Sequence, residues 1–182
     1  MSLVDEASCI AAVTKDGLRL REVPAELRTD AVCTAAVTEC GSALRYIEED
    51  ARTIDMCAAA VSNSGTALYY VSHRFKTTDL CLAAVRQTSN ALQYVPAPVA
   101  TAEICWAAIN QDGRVIAYVP DHIITPAMCM AAVTQSAYAI HSVPQHMRTE
   151  DVCVAAVRQN VRVINGVPDH LRPLVARRVY TA

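Results

Sequence analysis

Cys57-Ala58-Ala59-Ala60-Val61 decides the fold, because it recurs. Cys9, Cys33, Cys57, Cys81, Cys105, Cys129 and Cys153 stand 24 residues apart. Each is followed by one variable residue and then Ala-Ala-Val, with Ala-Ala-Ile at 107–109. Seven tandem copies without insertion predict a repeat array whose units pack mainly on their neighbours.

Working outward, each unit opens on Thr29, Thr53, Thr77, Thr101, Thr125 or Thr149, with Asp5 in the first. Thr and Asp are N-cap residues, and acids such as Asp30, Asp55 and Glu103 follow in the first turn, where the helix dipole favours them. A first helix of about eleven residues is predicted, for example over 54–64. Its middle, as in 32–37, is apolar nearly all round, which predicts burial on every side. On that reading Ala59→Leu overpacks the array at a cost of about 1–3 kcal/mol.

Gly17, Gly41, Gly65 and Gly113 close the first helix, and a left-handed C-cap is the expected reason. Ser89, Ala137 and Val161 hold that place elsewhere, so a gentler turn or a longer helix is expected there. A short second helix follows, as in Ala67-Leu68-x-Tyr70-Val71, with Tyr46, Tyr94 and Tyr118 repeating the tyrosine. Proline at 24, 96, 120, 144 and 168 stops it. Linkers often ending in arginine (Arg28, Arg52, Arg148, Arg172) lead to the next cap.

The fold class expected is therefore all-α: an α-solenoid of seven 24-residue helix–turn–helix repeats over residues 5–172. Residues 173–182 form a C-terminal capping helix or partial repeat, and residues 1–4 a leader. The C-x-A-A-V … G-x-A-L-x-Y-V-P pattern resembles a family of short bacterial helical repeats catalogued as a domain of unknown function. That family occurs in multi-copy arrays, including effector-like proteins. The resemblance implies the fold and carries over no activity and no site residue. The chain departs from it in its uniform cysteine column and its lost glycines.

Four features bear on function. The cysteine column reads as small buried hydrophobes, since paired ligand spacings such as C-x₂-C are absent; metal or thiol binding along the column is the alternative. His122, His146 and His170 repeat one linker place and read as surface loop residues. Lys15, Glu39, Asn63, Gln87, Gln111, Gln135 and Gln159 fall in register at the end of the first helix and read as solvated surface. The outer face of the second helix varies from unit to unit, as the binding face of a repeat array does. Its candidate partner-binding residues are Arg21, Arg45, Tyr69, Gln93, Arg114, Tyr138, His141 and Arg162. Tyr and Arg are enriched at contact surfaces.

Composition narrows the classes. Residues 1–60 carry 11 acids and 6 bases and the remainder 7 and 10, for a net charge of −2. That is no nucleic-acid footprint, although a base-per-repeat reader stands as an alternative. No apolar run reaches the ~18 residues of a membrane span, and the start carries no secretory apolar core. Unpaired thiols suit a reducing compartment, so a cytoplasmic protein is expected, with delivery into a host cell open. No motif of nucleophilic, metal or phosphate chemistry is present, so no enzyme and no cofactor is expected. The expected role is a protein-interaction scaffold whose partner is another protein.

Overall fold

In the computed structural model, residues 3–180 are described. Every regular element among them is helical. The α helices are α1 (Glu6–Val13), α2 (Asp30–Glu39), α3 (Ile54–Asn63), α4 (Thr78–Gln87), α5 (Ala102–Ile109), α6 (Pro126–Gln135), α7 (Glu150–Gln159) and α8 (Arg172–Tyr180). The start of α2 through α7 recurs every 24 residues. Each is capped as its sequence demands: the Thr53 hydroxyl accepts from the Met56 N–H at 3.2 Å, and Thr29, Thr77, Thr101, Thr125 and Thr149 do the same. At the first helix Asp5 and Ser8 form a reciprocal capping box.

The second helix of each unit is a 3-10 helix and not an α helix. It runs over Gly17–Glu22, Gly41–Tyr46, Gly65–Tyr70, Ser89–Tyr94, Gly113–Tyr118, Ala137–His141 and Val161–Gly166. Six residues suit three residues per turn, and side chains at i and i+3 then eclipse on one face.

The glycines need a different account from the C-cap expected of them. Among the described residues none has a positive φ. The chain breaks one residue earlier, at an extended residue: Cys40 (φ −141°), Ser64 (−147°), Thr88 (−148°), Ser136 (−149°) and Asn160 (−152°). Any side chain tolerates that backbone, so the helix ends at the same place whether Gly, Ser, Ala or Val follows. What glycine supplies is room. A methyl group on Gly41 would press into the Ala60 carbonyl oxygen of the next unit, and one on Gly65 into that of Ala84.

The chain divides into two compact units, Met1–Val99 and Ala100–Ala182. In the first, α1 to α4 pack each on the next, the 3-10 helices do likewise, and those at Gly17–Glu22, Gly41–Tyr46 and Gly65–Tyr70 also rest on the α helix that follows each of them. The second unit repeats this arrangement with α5 to α8. Consecutive stacking within each unit is the packing mode of a solenoid. The first core is built on Leu20, Leu44, Met56, Leu68 and Leu92, the second on Ile104, Ile109, Ile116, Met128 and Ile140.

The α helices are not buried all round. In the Ala-Ala pair the second alanine (Ala36, Ala60, Ala84) is fully buried. The first (Ala35, Ala59) is half-buried and Ala83 is exposed. On α2, Ala31, Thr34 and Thr38 face outward and line a shallow groove with Thr14. Alanine and threonine are weakly apolar, so their presence did not mark which side was covered. Overpacking therefore belongs to Ala60 and not to Ala59.

Candidate interaction surface

Two side-chain systems hold successive repeats together, and in the sequence the first was only a linker signature and the second read as solvated surface. The first is the cation that ends most linkers, Ala100 and Ile124 standing there in the other two. Arg52 donates from Nε to the Ile47 carbonyl at 2.9 Å and from a terminal nitrogen to the Tyr70 carbonyl at 2.6 Å. Arg28 bridges Val23 and Tyr46 in the same way, and Arg148 bridges Val143 and Gly166. Each arginine thus ties the end of its own 3-10 helix to the end of the next. A rigid guanidinium fork suits two carbonyls at once.

Lys76 holds this place in its unit with one ammonium, which reaches the Tyr94 carbonyl at 2.9 Å. It is buried, and burial pushes its pKa below the usual lysine value. One turn away the Ser72 hydroxyl is buried without a hydrogen-bond partner.

The second system is the amide column at the end of the α helices. Asn63 Nδ2 donates to the Thr38 and Glu39 carbonyls at 3.1 and 3.0 Å, and its Oδ1 accepts from the Gly41 N–H at 2.8 Å. Gln87 reaches the Ser62 carbonyl, Gln135 that of Gln111 and Gln159 that of Thr134. These residues are exposed, yet they are not merely solvated surface. Asn63, Gln87 and Gln159 satisfy orphan carbonyls at the C-terminus of the preceding α helix, and Gln135 one just beyond it. Four glutamines in strict register were the available signal.

The cysteine column is core. All seven thiols are at most 3% exposed, and all are free. Cys33 and Cys153 donate to the carbonyls of Arg28 and Arg148 at 3.6 Å. Burial pushes the thiols of Cys33, Cys57, Cys81, Cys105, Cys129 and Cys153 above their ordinary pKa, the reverse of what a metal or nucleophile site needs. Among the described residues no group of three His, Cys, Asp or Glu side chains is placed to hold a metal. His122, His146 and His170 are exposed.

The candidate binding residues all lie on the outer face of the 3-10 helices and are exposed. In the first unit they form a connected group. The Arg45 guanidinium lies 4.6 Å over the Tyr46 ring and donates to its hydroxyl. Arg45 and then Arg21 hold the Tyr46 phenol below its usual pKa. Tyr69, 61% exposed, meets Tyr70 edge-on at 4.9 Å and Tyr94 at 5.1 Å. Gln93 donates to the carbonyl of Asn90 on its own helix. The neighbours Tyr46, Tyr70 and Tyr94 thus complete the surface, although they had been read only as a repeat signature.

Residues 54–98 match a domain of unknown function (DUF4116). No curated protein and no solved structure matches the chain. The DUF4116 stretch spans α3, α4 and the two 3-10 helices that carry Tyr69, Tyr70, Gln93 and Tyr94. It also holds Ser72, where five other units carry proline, and Lys76, where four others carry arginine.

In the second unit the candidates stay apart. Arg114 is taken up by Asp112 at 2.8 Å, which holds that carboxyl below its usual pKa. Tyr138 is 53% exposed. The His141 ring lies against Gly166, and the His141 carbonyl accepts from Arg148. Arg162 caps its own turn through its N–H to the Asn160 side chain. Among the described residues no helix is long and apolar enough to cross a membrane.

Proposed function

We propose that the chain is a non-enzymatic protein-interaction scaffold, a repeat module of the kind found in bacterial effector-like arrays, and that its partner binds the outer face of the 3-10 helices. One observation carries this reading. In the first unit that face holds an arginine stacked on tyrosine beside a widely exposed tyrosine, and neither Arg45 nor Tyr69 belongs to the arginine clamps or the amide hooks. Arg and Tyr are the residue types that dominate binding energy at contact surfaces. Seven unpaired buried thiols suit a reducing compartment such as the cytoplasm.

The test is affinity capture with the full chain, comparing the parent with the double variant Arg45→Glu/Tyr69→Ala and quantifying each captured protein. A protein retained by the parent and lost by the variant, at equal thermal midpoints, supports the reading. Retention of every captured protein by the variant overturns the placement of the interface.

A further inference from the structure

The outer row of the first unit has a charge and a shape that select its ligand. Arg45 donates to the Tyr46 hydroxyl and lies against the Tyr70 side chain, and no carboxylate lies within ion-pair distance of it among the described residues. Arg21 meets Glu22, its chain neighbour, at 3.8 Å, and its side chain lies against the Tyr46 hydroxyl. A guanidinium has five N–H donors in a planar fork, so both retain donors for a bidentate carboxylate. One repeat further on, in the same column as Arg45, Tyr69 stands out between Tyr70 and Tyr94 and offers an aromatic edge and face. Stacked helices step by ~8–10 Å, and a chain extended as polyproline II advances ~3.1 Å per residue with about three residues per turn, so side chains three residues apart face one way and match one repeat.

We infer that the row Arg21, Arg45 and Tyr69 takes an extended acidic peptide segment of a partner protein, in which a carboxylate side chain and an aromatic side chain stand about three residues apart. The carboxylate pairs with Arg45 and Arg21, and the aromatic ring packs against Tyr69 and Tyr94. This rests on the interaction reading above and adds the chemistry of the partner. Charge around the row favours a single carboxylate over a polyphosphate chain. Glu22, Glu26, Glu48, Glu49 and Asp50 follow the row in sequence, all exposed, and would repel a backbone that needs a continuous positive track.

The experiment is fluorescence anisotropy with the full chain and a labelled nine-residue Gly/Ser peptide carrying one glutamate and, three positions on, one tryptophan. Binding is expected to weaken at least about tenfold with Arg45→Glu, and clearly with Tyr69→Ala. Arg45→Lys is expected to fall between parent and Arg45→Glu, because it keeps the charge and loses the fork. His122→Glu, at an exposed linker position of the second unit, should leave binding unchanged. A peptide with lysine in place of glutamate should not bind.

Equal binding of the lysine peptide, absence of binding of the glutamate peptide at millimolar concentration, or tighter binding of a labelled oligothymidine each overturns the inference. The two readings fail separately. Capture of a protein that depends on Arg45 and Tyr69, without peptide binding, removes the acidic-peptide inference alone. Peptide binding to the row, with every captured protein indifferent to Arg45→Glu, removes the scaffold interface alone.

Discussion

Ser72 is the one buried side-chain oxygen among the described residues with no partner, and its position explains why. Five other units carry proline there. The Ser72 backbone (φ −62°, ψ 146°) is close to that of Pro24 (−53°, 144°) and Pro144 (−54°, 139°), and Val71 before it is extended (−74°, 129°). Proline therefore fits without strain. Ser72→Pro should raise stability by about 1–2 kcal/mol, by restricting the unfolded chain and removing an unsatisfied hydroxyl. A higher urea midpoint at unchanged slope is the expected reading; a lower one would mean that the hydroxyl has a partner in solution.

Lys76 is the companion case. Its folded pKa lies below the ordinary lysine value of 10.5, so between the two values the unfolded chain holds the proton that the folded chain has released. Stability owed to this group therefore rises with pH across that window. Lys76→Arg should restore the second carbonyl bond of the clamp, worth about 1 kcal/mol at neutral pH. The advantage of the arginine variant should shrink as pH climbs towards 10.5. An advantage that stays constant would place the lysine amine in water.

At the scale of the element, volume and backbone ties matter more than propensity. Gly41→Ala should cost about 1–3 kcal/mol or more, because the added methyl drives the 3-10 helix off the Ala60 carbonyl. Leu68→Ala, at a fully buried site, should cost about 2–5 kcal/mol. Arg52→Ala strips two carbonyls of a charged donor and should cost about 2–3 kcal/mol. Urea denaturation checks all three, and Arg52→Ala losing no more than an exposed arginine would show that water replaces the clamp.

The α helices were legible because their caps and the Cys-x-Ala-Ala-Val spacing are local signals. The 3-10 helices were legible in extent but not in type, since Ala-Leu-x-Tyr suits either winding. The side covered on each α helix was not legible, because Ala35 and Ala36 differ only in what lies beside them. The clamps and amide hooks were visible as columns, yet their targets are backbone carbonyls, and sequence carries no mark for an acceptor that every residue owns. The candidate row on the first unit was half legible. Arg45 and Tyr69 were found by their variability, whereas Tyr46, Tyr70 and Tyr94 looked like a fixed signature.

Across the whole molecule, one reagent reports the packing of every repeat. Cys40 is half-buried and lies outside the column, whereas the other seven thiols are buried. A thiol reagent should modify Cys40 first under native conditions and the column only as the chain unfolds. Mass mapping of the labelled sites is the check, and early labelling of Cys57 or Cys129 would contradict a closed core. Protection within each unit should fall together when its clamps are cut, because the ties join residues only 18 to 25 apart.

The amide hooks also impose an order in time. Asn63 completes the end of α2, Gln87 that of α3 and Gln159 that of α6, so in every case a later residue finishes an earlier helix. On the ribosome, where chains grow at about 5–20 residues per second, each of those helices waits roughly 1–5 s for the next repeat to emerge before its last carbonyls are satisfied. The array is thus finished one repeat behind its own synthesis.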